Sequence, residues 1–294
     1  QVMQQPDELA GESADDKIRR MQAVLADKGV DAAILAQSDS IAWLFNIRGA
    51  DVPHNPVVLS YALLKRDERP TLYVDGRKLS NAIRDQLAER ADIKEERAFL
   101  TDLAELGDEG RRVLVDPQTT PALFARTLTD ARGVLVEGAD PVVLPKARKN
   151  AIELDGTRRA HKRDGAAMTR FLAWLDANGA NGTETEISVA RKLEAFRAEA
   201  GEADGSPLLE ISFDTISGAG PDGAIVHYRV NEATDRKLEA GTLYLVDSGA
   251  QYRDGTTDIT RTIAIGTPSA EMRDRFTRVL KGHIALATAR FPRG

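Results

Sequence analysis

Short apolar runs alternate with polar segments of helical length through the first half of the chain, and this alternation limits the possible folds most. The apolar runs have the length of strands rather than of helices; they are residues 32–36, 57–64, 71–74, 113–115 and 134–136. Polar stretches of helical length, residues 78–90 and 121–129, lie between them. Strands that alternate with helices predict an α/β domain whose sheet is covered by helices.

A helix is predicted before the first of these strands. Ser13 is followed three residues later by Asp16, which resembles a capping box with Asp in place of the usual Glu. Apolar residues from Ile18 to Leu25 then recur at helical spacing, and Gly29 follows them. The pattern predicts a helix that begins after Ser13 and ends before Gly29.

The second half of the chain begins near Pro145 and has a different character. Residues 146–150 are basic and lack bulky apolar side chains, so they indicate a linker or the start of a helix. An apolar helical face follows over residues 168–175 and is closed by Asn178-Gly179. Thr183 and Glu186 then have the spacing of a capping box, which predicts that another helix begins there.

Beyond Gly205 the pattern changes to strands and turns, without internal repeats. The second half is therefore predicted to be α+β, with helices first and antiparallel strands after them. We expect an α/β domain over residues 10–147 and the α+β domain over residues 148–294.

Composition excludes several kinds of partner and site. The 294 residues carry a formal net charge of −6, and Lys and Arg are interleaved with Asp and Glu, so no basic face for nucleic acid is expected. No apolar run approaches the roughly 20 residues that span a bilayer, so no membrane partner is expected either. The chain has no cysteine, which excludes thiol nucleophiles, thiolate metal sites and disulfides, and fits the reducing cytoplasm.

Common catalytic motifs are missing as well. The chain has no G-x-S-x-G elbow, no Walker loop and no H-E-x-x-H. The glycines of residues 217–223 superficially resemble a phosphate loop, but they neither follow the right strand nor open a helix. We interpret this stretch as a flexible loop at the rim of a cleft.

The segment with the most chemical information is residues 243–262, LYLVDSGAQYRDGTTDITRT. It predicts two strands joined by a turn around residues 253–255. The first strand is apolar on both faces until Asp247, and a carboxylate at the end of a buried strand is costly unless it is paired or binds a metal. In the second strand Asp258 and Thr260 share a polar face, which therefore lines a site.

The spacing of the two aspartates depends on the register of these strands. If the loop tip lies between Ala250 and Gly255, Asp247 is opposite Asp258 with Cβ atoms roughly 4.5–5.5 Å apart, which suits two metal ions about 3.5–4 Å apart. A tight turn at Asp254-Gly255 would slide the two carboxylates about 13 Å apart along the strands. Periodicity does not choose between these registers, and structural roles as a strand-end cap and a turn residue stay open.

Three separated segments resemble those of the Xaa-Pro aminopeptidases, which belong to the pita-bread metallopeptidase family. VDSGAQY (246–252) and DGTTDITRT (254–262) are similar to the two-aspartate metal motif of that family. Residues 214–228 are similar to its substrate-side loop and strand, and residues 39–56 to its second domain. The resemblance runs from about Leu9 to the end of the chain and favours the three-domain branch. It implies a creatinase N-terminal-like α/β domain followed by the first half of an α+β pita-bread domain.

The resemblance also implies roles for individual residues. Asp247 would bind one divalent metal ion and Asp258 would bridge two; the ions would be Mn²⁺ or, as the less favoured alternative, Zn²⁺. A hydroxide shared by the ions would attack the bond between the first residue of a peptide and proline. His227 matches the histidine that contacts the peptide near this bond, so it is the catalytic and substrate-binding candidate. Arg261 is a further candidate, for anchoring a carboxylate of the site.

A complete site of this family needs a further histidine and two glutamates as ligands, and a second histidine that moves a proton. None of these can be assigned within the 294 residues, and only the first of the two pseudo-symmetric halves of a pita-bread domain is expected in them. The chain alone is therefore expected to bind metal weakly and to have no peptidase activity.

The resemblance leaves other functions to compare with the aminopeptidase. A prolidase-type dipeptidase is the nearest alternative, and the resemblance of residues 39–56 favours the aminopeptidase over it. A non-catalytic pita-bread binding module and metal-free creatine hydrolysis are both disfavoured, because Asp247 and Asp258 are retained. A homodimer is expected from the family.

Overall fold

The computed structural model describes residues 1–292. The chain divides into two compact units, Gln1–Arg158 and Arg159–Gly294. The first is α/β and the second is α+β, so the predicted fold class is confirmed. The domain boundary predicted between residues 147 and 148 stays a prediction. Within residues 1–292, none of the helices combines the length and the apolar character needed to cross a bilayer.

The first unit is built around one mixed sheet. The strands of the unit are β1 (Met3–Gln4), β2 (Ala32–Leu35), β3 (Ile47–Arg48), β4 (Tyr61–Lys65), β5 (Thr71–Tyr73), β6 (Asp92–Lys94), β7 (Arg112–Val115) and β8 (Val134–Glu137). β1 and β3 pair with each other outside the mixed sheet. The helices of the unit are α1 (Asp7–Ala10), α2 (Ala14–Asp27), α3 (Ser38–Leu44), α4 (Asn81–Ala88), α5 (Phe99–Asp108), α6 (Ala122–Asp130) and α7 (Val143–Ala147). Among the described residues the sheet has six strands in the order β6-β5-β4-β2-β7-β8. β4 runs antiparallel to β2 and β5, and the other neighbours are parallel.

Strand β2 shows why this unit folds as two covered faces. All four of its residues are buried, and successive side chains of a strand point to opposite faces. Ala33 and Leu35 pack in a cluster with Leu25 of α2. Ala32 and Ile34 pack in a second cluster with phenylalanines of α5 and α6. A continuous apolar run therefore codes for a strand with helices on both sides.

The predicted start and end of α2 are confirmed. The Ser13 hydroxyl accepts a hydrogen bond from the Asp16 backbone N–H at 3.1 Å, and α2 begins at Ala14. Gly29, with a φ of 62°, follows the last turn in the left-handed conformation that glycine adopts at low cost.

The second unit contains helices first and antiparallel strands after them, as predicted. Its elements are α8 (Ala151–Asn178, which begins in the first unit), α9 (Glu186–Ala203), β9 (Glu210–Ile211), β10 (Ile216–Ala219), β11 (Thr242–Ser248), β12 (Ala250–Tyr252), β13 (Gly255–Thr256), β14 (Ile259–Ile265) and α10 (Ala270–Ala287). β10, β11 and β14 form one sheet with β11 in the centre, and β12 lies between β13 and β9 in another. Phe171 and Leu175 of α8 pack in one cluster with Leu193 of α9 and with Tyr244 and Val246 of β11.

The capping box predicted at Thr183 and Glu186 is wrong. The N-cap of α9 is Thr185, whose side chain accepts from the Ser188 N–H while the Ser188 hydroxyl accepts from the Thr185 N–H. Glu186 is the first helical residue, and its carboxylate is fully buried with partners outside the helix. The N-cap of the helix therefore lies two residues later than predicted.

The interpretation of residues 217–223 as a flexible loop is wrong, because all of these residues lie in regular structure. Residues up to Ala219 form β10, and Gly220–Ala224 form a 3₁₀ helix. A Cβ atom on Gly218 would lie 2.7 Å from the backbone nitrogen of Gly223, so glycine is needed for this close approach of two backbone segments.

Candidate metal centre

The strand register places the two aspartates diagonally. Asp247 pairs with Thr260 in the β11–β14 ladder, and Ser248 pairs with Ile259. Continuing this register puts Asp258 across from Gly249, two residues from the point opposite Asp247. Because side chains alternate along a strand, Asp258 shares a face with Thr260 and hence with Asp247.

Neither register considered from the sequence is the observed one. The turn joins β12 to β13 through Arg253 and Asp254, since Tyr252 pairs with Gly255. The aspartates are therefore not directly opposite, as the longer loop would place them, and are not about 13 Å apart, as the Asp254-Gly255 turn would place them. Diagonal neighbours on one face of a sheet remain within reach of each other.

Asp247 does not end a strand that is buried on both faces. In β11 Tyr244, Val246 and Ser248 are buried, whereas Leu243, Leu245 and Asp247 on the other face are only partly buried. The expectation of a fully buried strand was wrong, because Tyr244 and Val246 pack against α8 and α9 whereas the side chains of the other face are partly exposed. The carboxylate of Asp247 is thus accessible to a ligand.

Asp247 is oriented by a neighbouring hydroxyl and acts on the ionisation of Asp258. The Thr260 hydroxyl donates to Asp247 Oδ1 at 2.8 Å, which orients that carboxylate. Partial burial of its carboxyl raises the pKa of Asp258, and the charge and the hydrogen-bonding oxygen of Asp247 raise it further. Two like charges held together in this way favour a cation between them.

The carboxylate oxygens of Asp247 and Asp258 are ligand atoms of the type that divalent metal ions bind. Carboxylate oxygens are hard ligands of the sort that Mg²⁺, Ca²⁺ and Mn²⁺ take. Among residues 1–292 no group of three or more His, Cys, Asp or Glu side chains is arranged to hold a metal ion. Asp247 and Asp258 can therefore be part of a ligand set that the described residues do not complete.

The backbone between the aspartates is tightly packed around Gly249. A Cβ atom on Gly249 would lie 1.9 Å from the carbonyl oxygen of Thr257 and 2.1 Å from Ser212 Oγ. Ser212 Oγ in turn donates to the Thr257 carbonyl at 2.8 Å. Gly249 therefore allows the residue before Asp258 to approach the strand that carries Asp247.

His227 lies outside regular structure. It is exposed, follows the 3₁₀ helix Gly220–Ala224, and has a left-handed backbone with a φ of 54°. Non-glycine residues rarely adopt this conformation, so the surrounding chain must hold it there. The next residue, Tyr228, is buried.

Sequence reasoning missed the residue that organises this loop. Glu186 Oε1 accepts from the Ala219 N–H at 2.7 Å, and Oε2 accepts from the Tyr228 hydroxyl at 3.0 Å and the Arg236 N–H at 3.1 Å. The buried carboxylate of Glu186 thus binds the two ends of the segment 219–236, and it also binds Tyr228, the residue that follows His227. Burial raises the pKa of Glu186, and the hydrogen bonds from Ala219, Arg236 and Tyr228 oppose that rise.

The candidate role of Arg261 has no support in its contacts. The residue is exposed, and its guanidinium donates to the carbonyl of the neighbouring Thr260 at 2.7 Å. Its strand neighbour Thr260, rather than Arg261 itself, contacts a carboxylate of the candidate centre.

Two sequence profiles match consecutive parts of the chain. Residues 1–153 match the creatinase/prolidase N-terminal domain, and residues 155–294 match metallopeptidase family M24. The chain is 37% identical over 290 residues to Xaa-Pro aminopeptidase 1 of Dictyostelium discoideum. The alignment covers 97% of this chain and 45% of the relative. The chain is 40% identical over 308 residues to a probable Xaa-Pro aminopeptidase P of Fusarium vanettenii. That alignment covers 100% of this chain and 48% of the relative. The chain thus spans about half the length of the curated relatives it matches.

Solved structures show the same similarity. The X-prolyl aminopeptidase of Caenorhabditis elegans aligns with a TM-score of 0.88 and 32% identity. The alignment covers 100% of this chain and 48% of the Caenorhabditis elegans chain. That protein is described as a cytosolic enzyme with a di-nuclear active site. The Xaa-Pro dipeptidase of Bacillus anthracis aligns with a TM-score of 0.69 and 21% identity, over 92% of this chain and 71% of its own. The second likeness concerns the fold alone.

Proposed function

The chain belongs to the proteins that join a creatinase/prolidase N-terminal domain to a metallopeptidase family M24 domain, and we propose that it is part of an Xaa-Pro aminopeptidase. Such an enzyme removes the first residue from peptides that have proline in second position. The observation that carries the proposal is the pair of carboxylates, Asp247 and Asp258, on one accessible face of the β11–β14 sheet.

Each candidate residue has a distinct part in this function. Asp247, oriented by the Thr260 hydroxyl, and Asp258 would hold two divalent ions, with Asp258 between them. When bound, the ions lower the pKa of water enough to supply a nucleophile at neutral pH. His227 would hydrogen-bond the peptide near the scissile bond from its exposed turn.

The nature of the metal and the setting of the enzyme are part of the proposal. Mn²⁺ is the favoured ion because both ligands are carboxylates, and Zn²⁺ is the alternative. We place the protein in the cytoplasm as a homodimer that acts on Xaa-Pro peptides. The absence of cysteine and the description of the Caenorhabditis elegans relative as cytosolic support the compartment.

The 294 residues alone are proposed to be inactive. Two carboxylates bind a metal weakly, and no general base is assigned among the described residues. Incubation of the isolated chain with Mn²⁺ and an Xaa-Pro peptide should release no amino-terminal residue. Measurable Mn²⁺-dependent release would overturn this part of the proposal.

The metal assignment is tested by mutation. The isolated chain should bind Mn²⁺ in a saturable way, detected by electron paramagnetic resonance, and Asp258→Ala should abolish this binding. In any form of the protein that hydrolyses Xaa-Pro peptides, the same change should abolish hydrolysis. Equal Mn²⁺ binding by both chains, or near-normal turnover by the variant, would remove the metal role of Asp258.

A further inference from the structure

Two helices of the second unit enclose a guanidinium that is almost completely buried. The side chain of Arg197 on α9 is 1% exposed, and that of its partner Asp164 on α8 is 3% exposed. Arg197 Nε donates to Asp164 Oδ1 at 2.8 Å, and Nη2 donates to Oδ2 at 3.1 Å. The Tyr252 hydroxyl also donates to Asp164 Oδ1, at 3.1 Å. The bidentate pair thereby fixes the orientation of the guanidinium.

The remaining donor of Arg197 reaches the chain directly after Asp247. Arg197 Nη1 donates to Ser248 Oγ at 2.9 Å and to the Gly249 carbonyl at 3.3 Å. Ser248 is fully buried, so its hydroxyl faces the guanidinium while Asp247 points to the accessible face. Arg197 therefore holds the backbone at the point where β11 leaves the candidate centre.

The same point is linked to Asp258 through Ser212. The Gly249 carbonyl also accepts from the Ser212 N–H at 3.1 Å, and the Ser212 hydroxyl donates to the carbonyl of Thr257. Thr257 directly precedes Asp258 in the sequence. A continuous set of contacts thus runs from Arg197 through Gly249 to the residue before Asp258.

A second buried pair lies further along the same hairpin. Arg163, the residue before Asp164, donates from Nη1 and Nη2 to the two carboxylate oxygens of Asp254, both at 3.0 Å. The side chains of Arg163 and Asp254 are 3% and 6% exposed, so this pair is nearly as buried as the first. Asp254 lies at the hairpin turn, several residues from both Asp247 and Asp258.

We propose that Arg197, oriented by Asp164, is a positioning residue that sets the separation of the Asp247 and Asp258 carboxylates for metal binding. The inference rests on the proposed metal role of these two aspartates. Like charges at close range push the two strands apart, and a buried ion pair is in general a weak source of stability. Arg197, held by Asp164, instead provides directional hydrogen bonds to Ser248 and Gly249, the two residues that follow Asp247.

The two buried pairs supply a matched experiment. Arg197→Lys and Arg163→Lys each replace a bidentate guanidinium by an ammonium without changing the charge. Ser248→Ala removes the shorter of the two bonds from Arg197 Nη1 and leaves the bond to the Gly249 carbonyl, with a small change in a buried side chain. Mn²⁺ affinity of each variant of the 294-residue chain is measured by water proton relaxation, and hydrogen exchange of residues 247–258 is followed without metal. Thermal unfolding confirms that each variant is folded.

Arg197→Lys and Ser248→Ala should weaken Mn²⁺ binding by roughly tenfold or more, as the loss of groups that orient metal ligands does. They should also speed hydrogen exchange at the amides next to Asp247. Arg163→Lys should leave the Mn²⁺ affinity within about twofold of wild type. This difference would not arise if both pairs only stabilised the fold.

Other results overturn the inference in distinguishable ways. If the wild-type chain binds Mn²⁺ and the Arg197 and Ser248 variants bind it equally well, the positioning role is wrong and the metal role of the aspartates stands. If Arg163→Lys weakens binding as much as Arg197→Lys, general loosening of the hairpin explains the effect and the specific role is also wrong. If wild type and Asp258→Ala bind Mn²⁺ alike, the metal assignment fails and the positioning role fails with it.

Discussion

Asp247 and Asp258 lie on one face of the β11–β14 hairpin, two residues out of register with each other, and the charge of Asp247 helps to raise the pKa of Asp258. Without a cation this arrangement is unfavourable, since the charge of one carboxylate disfavours ionisation of the other. A protein keeps such a pair at a cost to its stability, and a divalent cation would convert the repulsion into attraction.

Asp258→Asn should therefore stabilise the metal-free chain at neutral pH. A raised carboxyl pKa in the folded state contributes stability that is present below the ordinary value of 3.8 and is lost as the pH rises through the folded pKa. Because Asp258 is exposed, the gain at pH 7 should not exceed about 1 kcal/mol. The free energy of unfolding of wild type and of Asp258→Asn is measured in urea at pH 4 and pH 7. A variant that is less stable than wild type at both pH values would contradict a repulsion between the two carboxylates.

Gly249→Ala should disrupt the hairpin between the aspartates. Its Cβ atom would lie 1.9 Å from the Thr257 carbonyl oxygen, so backbone must move. We expect a loss of about 3 kcal/mol or more in the free energy of unfolding, at the upper end of overpacking effects.

Gly165→Ala is the control for this change. Gly165 lies within α8, and a Cβ atom there would meet no atom within 4 Å apart from the adjacent residues and backbone of its own helix. Alanine is favoured over glycine in a helix interior by roughly 0.5–1 kcal/mol, so this variant should gain stability. Equal effects of the two substitutions in urea unfolding would contradict the close packing of Gly249.

The hairpin turn should make the second unit sensitive to acid. Burial alone would raise the pKa of Asp254, but the hydrogen bonds and charge of Arg163 hold it below the ordinary value of 3.8. The stability that this lowered pKa contributes is present above about 3.8 and is lost as the pH falls through the folded pKa. Asp254→Asn should flatten the fall in stability between pH 4 and pH 2, measured by circular dichroism. If Asp254→Asn loses as much stability as wild type between pH 4 and pH 2, the Arg163–Asp254 pair is not the source of the acid sensitivity.

Glu186→Gln should loosen the loop that carries His227. The two oxygens of Glu186 accept from the backbone N–H groups of Ala219 and Arg236, so an amide in either orientation leaves one of these donors unsatisfied. The expected cost is about 1–3 kcal/mol. Faster hydrogen exchange over residues 219–236 should accompany it.

Glu184→Gln provides the comparison for Glu186. Glu184 is only partly buried, and its carboxylate accepts from the Ser188 hydroxyl at 2.6 Å, a bond that an amide oxygen can keep. This variant should lose less than about 1 kcal/mol. If both glutamine variants behave alike, the organising role of Glu186 is wrong.

Much of the fold could be predicted from local sequence patterns. Strands β2, β5, β7 and β8 agree with the apolar runs to within about two residues, and β4 agrees except that residues 57–60 lie outside it. Strands β1, β3 and β6 were not predicted, because each has only two or three residues. Helix α3 was not predicted because its seven residues make fewer than two turns, too few for a periodic pattern. Helix α8 was predicted from its later apolar face, although its first turn is marked by reciprocal bonds between Asn150 and Glu153.

The candidate site was only partly predictable. Alternation along the strand placed Asp258 on the polar face, and the strand register puts it on the face that carries Asp247, two residues from the position opposite it. The register could not be predicted, because the turn is held by Arg163, which is 91 residues from Asp254 in the sequence. Arg197 and Asp164 are 33 residues apart on different helices, so no local pattern reveals their contact. The metal and substrate roles of Asp247, Asp258 and His227 stay predictions.

The most direct test of the central claim is anomalous diffraction near the manganese edge from crystals of the 294-residue chain grown with a saturating concentration of Mn²⁺. The account predicts an anomalous peak in contact with the carboxylates of both Asp247 and Asp258, and loss of that peak in Asp258→Ala. Crystals in which both carboxylates are free of manganese, or in which the peak persists in the variant, would contradict a metal centre at this hairpin.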